Sequence, residues 1–100
     1  MRREEVIAKL KQTEPILKKF GIAALYLFGS HARNEARPDS DVDVFVDPAA
    51  GEDFGFLRFM DAYEILQKTF GDEVEIGYST RDGLSPYIRK DVEQEAVRIF

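Results

Sequence analysis

Apolar positions along the chain fall into helical and strand periods that succeed one another. Over residues 3–20, Val6, Leu10, Thr13, Leu17 and Phe20 recur at the spacing of one helix face. Pro15 lies inside that run, where it removes a backbone donor and crowds the preceding turn, so a kink or a break is expected there. Gly21 is suited to end the helix. Residues 22–28 are apolar throughout and few, which fits a central strand covered on both faces. Gly29-Ser30 interrupts the run, a brief helix is expected over 31–36, and Arg37-Pro38-Asp39-Ser40 is turn chemistry. Residues 41–47 then alternate acid with apolar, the period of a strand. After a loop over 48–51, Phe56, Phe59, Tyr63, Leu66 and Phe70 predict a helix over 53–70 closed by Gly71, its aromatic stripe facing the core. Residues 73–78 alternate again as a third strand, and 79–85 form a loop. Residues 86–99 read as a helix with Ile88, Val92, Ala96 and Ile99 on one face. The predicted order α-β-α-β-α-β-α is that of an α/β (α+β) two-layer sandwich, a short sheet flanked by helices.

Composition narrows the setting. One hundred residues, 44% hydrophobic and 33% charged, suit one domain over 1–100 and exclude general disorder. There is no cysteine, hence neither a disulfide framework nor a thiolate metal site. The longest apolar run, 22–28, is shorter than the roughly 20 residues that cross a bilayer. Met-Arg-Arg-Glu-Glu at the start lacks the apolar segment of a secretory signal, so the expected location is cytoplasmic. A net charge of -5 argues against broad, sequence-independent nucleic-acid binding. Anionic substrates stay compatible with it where cations mediate.

The candidate chemistry is concentrated in residues 29–43. Asp41 and Asp43 are two apart on a strand, so they share a face, roughly 6–7 Å apart at a rise of about 3.3 Å per residue. Carboxylates that close repel unless a cation lies between them, and oxygen-only ligands suit Mg²⁺ or Mn²⁺. Glu75 would complete a three-acid cluster if the third strand neighbours the second. Gly29-Ser30, at the end of a buried strand, can bring backbone N–H groups and a hydroxyl up to a phosphate, with Arg33 within reach of the same anion. Each feature also has an ordinary reading. Asp-x-Asp alone is more often a solvent-facing pair, Gly-Ser a turn, Glu75 an exposed strand residue, and Arg33 a surface partner of Glu35 or Asp39. His31, the only histidine, reads as a partly exposed helix residue rather than a general base. What distinguishes the stretch is the conjunction of strand-end Gly-Ser, an arginine three residues on, and Ser-Asp-x-Asp opening the next strand.

Gly29-Ser30-x-Ala32-Arg33 followed by Asp39-Ser40-Asp41-x-Asp43 resembles the signature of the nucleotidyltransferase superfamily. It is most similar to the minimal nucleotidyltransferases of bacteria and archaea, the antitoxin-like partners of HEPN proteins, and the likeness spans nearly the whole chain. The resemblance implies a short mixed sheet flanked by helices. It also implies that Asp41 and Asp43 hold two Mg²⁺ ions, with Glu75 as the third acid. Gly29, Ser30, Arg33 and Ser40 would bind the nucleoside triphosphate. It further implies transfer of AMP from ATP to a tyrosine of a HEPN-family RNase toxin, which silences the toxin. Glu75 stands where many relatives carry Asp. Asn34 stands where many carry Gly, and Asn tolerates left-handed backbone better than most residues. Two other functions compete: a non-catalytic module that neutralises its partner by contact, and nucleotidyl transfer to a small molecule or an RNA end. The shortness of the chain favours a partner that presents the acceptor, and spare aromatic surface on the long helix suits a homotypic or heterotypic interface.

Overall fold

Thr13 is the point where the first helical pattern breaks. The computed structural model describes residues 1–51 and 54–100. In it α1 (Arg3–Gln12) stops at Thr13, and α2 (Glu14–Lys19) begins at once. The Thr13 hydroxyl donates to the Leu10 carbonyl at 2.6 Å, and Pro15 falls in the first turn of α2, where its missing N–H goes unneeded. Val6, Leu10, Thr13 and Leu17 are all buried, so the expected face survives the break. Gly21 follows with φ 89°, the left-handed conformation that ends the helix.

The strands are β1 (Ile22–Phe28), β2 (Val42–Pro48), β3 (Ile76–Thr80) and β4 (Val97–Arg98), in the sheet order β3-β2-β1-β4. β2 runs antiparallel to β1 and parallel to β3, while β4 is antiparallel to β1, so the sheet is mixed, with β1 and β2 central. Alternation along β2 divides its side chains. Val42, Val44 and Val46 join the larger core with Val6, Leu10, Leu66 and Phe70 of the helices. Phe45 points the other way, to Val92 of α4 (Pro86–Glu95) and Leu84, beside Tyr26 and Phe28. Thus α1, α2 and α3 (Phe56–Phe70) cover one face, and α4 partly covers the other.

Several expectations need correction. The brief helix over 31–36 is only a sequence of turns. Arg33 N–H reaches the Gly29 carbonyl at 3.1 Å, but Asn34 turns left-handed at φ 59° and ends it. The order is therefore α-α-β-β-α-β-α-β. The last helix stops at Glu95 because Ala96 is extended, and the chain continues as β4. Ile99 is buried from the strand side instead, its N–H donating to the Leu25 carbonyl at 2.8 Å. β3 starts at Ile76, later than alternation over 73–78 predicts. The expected start of the long helix at residue 53 lies outside the described residues. Phe56 is 74% exposed and takes no part in the core, whereas Ala62, Leu66 and Phe70 do. Phe59 and Tyr63 lie between these, with their rings 4.4 and 5.9 Å from that of Tyr78. Among the described residues no helix is long and apolar enough to cross a membrane.

Candidate active site

Placing the valines of β2 in the core forces Asp43 onto the face that α4 only partly covers. Across the sheet Asp43 pairs with Phe28 on one side and Gly77 on the other. A Cβ at Gly77 would clash with Asp43 Oδ1, and one at Gly29 (φ 76°) with Oδ2. The carboxylate therefore lies in a slot between two glycines, and a side chain at either would displace it. Its pKa is raised, first by desolvation and then by the charge of Asp41, with His31 and Arg33 partly offsetting both. Asp41 is exposed, just ahead of β2.

Glu75 immediately precedes β3, and its carbonyl accepts the Val42 N–H at 2.9 Å. The parallel register Val42↔Ile76 brings residues 41 and 75 together just ahead of the two strands, and the expected neighbourhood of β2 and β3 is observed. The side chains are less closely grouped. Among the described residues no three His, Asp or Glu side chains converge as a metal site, and Glu75 does not line the cleft described next. Asp41 and Asp43 do fit a hard divalent cation by donor chemistry: oxygen only, one carboxylate held in a slot, the other open to solvent.

The other expected residues, Gly29, Ser30, Arg33, Ser40, Asp41 and Asp43, line a single cleft of about 720 Å³ whose far wall is Ile88, Asp91, Val92 and Glu95 of α4. Five acids, Asp39, Asp41, Asp43, Asp91 and Glu95, face it against one arginine. A polyanion entering such a cleft needs accompanying cations. The Ser40 hydroxyl accepts the Arg37 N–H at 2.8 Å and so braces the turn that delivers Asp41. Arg33 lies 3.3 Å from Glu35, as its surface reading allows, but also donates from Nη1 to Glu95 Oε2 at 2.9 Å. Its pKa is raised, chiefly by that hydrogen bond to Glu95. Glu95 Oε1 accepts the Gly29 N–H at 3.2 Å.

His31 is only 2% exposed, contrary to the partly exposed helix residue expected. Burial lowers its pKa, a hydrogen bond to the Ser40 backbone works against that, and Nδ1 has no partner. It lies outside the cleft and lines a separate depression with the first residues of the chain, Asn34, Ala36 and Pro38. Sequence reasoning missed Gly77 and Glu95. Glycine inside a strand signals close approach and could have disclosed the first. Nothing local marks Glu95, which reaches Gly29 only through the fold.

A family model described as nucleotidyltransferase domain matches residues 10–99. The protein adenylyltransferase MntA of Thermococcus cleftensis is 34% identical over 82 residues, covering 82% of this chain and 79% of that protein. A solved structure of a candidate minimal nucleotidyltransferase superposes with a TM-score of 0.79 at 30% identity, covering 97% of this chain and 95% of that one. A crystal structure of a toxin-antitoxin with AMP-PNP shares the fold, with a TM-score of 0.66 at 14% identity over 90% of this chain and 72% of that one. With the signature residues gathered on one face of a mixed sheet and the family model covering the chain from α1 to β4, the protein belongs to the nucleotidyltransferase domain family.

Proposed function

We propose that one domain, residues 1–100, transfers AMP from ATP to a tyrosine of a HEPN-family RNase toxin and so acts as its antitoxin. The observation that carries this reading is the opposition of a glycine-walled carboxylate, Asp43, and the Gly29-Ser30 donors at one end of the β1–β2 pair. The Gly29 N–H and the Ser30 hydroxyl donate to phosphate oxygens of ATP, and Arg33 orients the triphosphate from the rim. Asp41 and Asp43 would hold Mg²⁺, which would neutralise the triphosphate and make its phosphorus more electrophilic. The tyrosine oxygen attacks the α-phosphorus, the P–O bond to the β-phosphate breaks, and pyrophosphate leaves. Glu75, exposed just ahead of β3 and outside the cleft lining, would take the tyrosine proton from the side on which the acceptor docks. Positioning and charge neutralisation carry most of the catalysis.

The names of similar proteins support the acceptor class: one is a protein adenylyltransferase, and a fold neighbour is a toxin-antitoxin bound to AMP-PNP. The test is transfer of label from ATP labelled at the α-phosphorus to the co-purified toxin. The parent protein is expected to label it, and a variant with Asp41→Asn and Asp43→Asn to leave it unlabelled. Equal labelling by that variant would overturn the assignment of both acids. A tight complex that never gains label, even with the parent, would favour neutralisation by contact.

A further inference from the structure

Glu95 does what a bound phosphate would be asked to do. One carboxylate oxygen takes the Gly29 N–H at 3.2 Å, the other takes Arg33 Nη1 at 2.9 Å, and so one anion bridges the two donors assigned to the triphosphate. An ordinary surface ion pair explains this poorly. Such a pair would engage Arg33 alone, whereas Glu95 also satisfies the backbone of buried Gly29, and its own side chain is only 24% exposed. It does so in a cleft that already carries Asp41, Asp43 and Asp91, where a further negative charge is unfavourable unless those donors hold it.

We propose that Glu95 is an intrachain occupant of the phosphate cradle, bound to Gly29 and Arg33 in the free protein and displaced by nucleotide, so that it sets the affinity for polyphosphate ligands. The proposal rests on the nucleotidyltransferase reading of the cleft. It makes nucleotide binding an exchange of one anion for another on the same donors. A ligand without phosphates, such as adenosine, has nothing with which to displace the carboxylate. Release is structurally simple, because Glu95 is the last residue of α4 and Ala96 already leaves the helix for β4.

The experiment is calorimetric titration of ATP with Mg²⁺, and separately of adenosine, into the parent, Glu95→Gln and Glu95→Ala, with the Gly29 amide followed by NMR. Both variants are expected to bind ATP roughly three- to tenfold more tightly, the modest gain being set by the exposure of Arg33. Adenosine binding should not change. The Gly29 amide resonance should move in the nucleotide-free variants, and in the parent when ATP is added. ATP binding by the parent with no gain in either variant, or with weaker binding, overturns the proposal alone and makes Glu95 a support for Arg33. If neither parent nor variants bind ATP, the nucleotidyltransferase reading of the cleft falls, and this proposal with it.

Discussion

The two faces of β2 show how one short strand serves two opposed demands. On the face under α1–α3, Val42, Val44 and Val46 are fully buried, and their contribution is area removed from water, about 1.5–3 kcal/mol for each such side chain. On the face toward α4, Asp43 is half-buried with its pKa raised, beside a second aspartate. The first face stabilises the fold; the second holds a charge that the fold alone disfavours. Stability and activity should therefore separate cleanly by face.

Asp43→Asn tests that separation with the largest expected effect. AMP transfer should fall on the order of 10³-fold or more, as for a group acting on the transition state. The melting temperature should instead rise by roughly 2–4 °C, since a desolvated, repelled charge is gone. The sign follows from the raised pKa. Native protein holds the Asp43 proton above the pH at which the unfolded chain releases it, so stability declines as pH rises from the ordinary aspartate value through the higher native one. Denaturant titrations across that window should show the decline in the metal-free parent and a flatter profile in Asp43→Asn.

On the apolar face, Leu27→Ala should cost about 3 kcal/mol, read as a lower urea midpoint with an unchanged slope, while the remaining folded fraction keeps its activity. Gly77→Ala probes the slot on the α4 face. The new methyl group displaces the Asp43 carboxylate, so transfer should drop roughly 10- to 100-fold, a size expected for a misplaced catalytic group, with little change in stability. Tyr78→Phe is the smallest. Tyr78 is stacked on Phe59 under α3, and its buried hydroxyl has no partner, so removing it should stabilise the protein by about 1 kcal/mol and leave transfer unchanged. A loss of activity in Tyr78→Phe would mean that the two faces are coupled.

How much of this was legible in the sequence depended on range. The alternation expected over 41–47 brought Asp41 and Asp43 to one cleft although β2 itself begins at Val42, and the helical stripe from Val6 to Leu17 outlasted its own break at Thr13, because both are local patterns with a buried side. Asn34 is left-handed at φ 59°, as the tolerance of Asn for that backbone suggested. What escaped was non-local. A two-residue strand such as β4 has no period of its own and exists only because β1 has an unpaired edge. Glu95 looks like any surface acid of a helix until that helix is laid across Gly29. Phe56 keeps the helical spacing, yet it lies beyond the part of α3 that the sheet covers.

The most direct measurement is the intact mass of the proposed toxin partner after incubation with this protein, ATP and Mg²⁺. The expected result is a gain of whole AMP units that disappears when Asp41 and Asp43 are both replaced by Asn. An unmodified partner held in a tight complex with the parent protein would contradict the assignment.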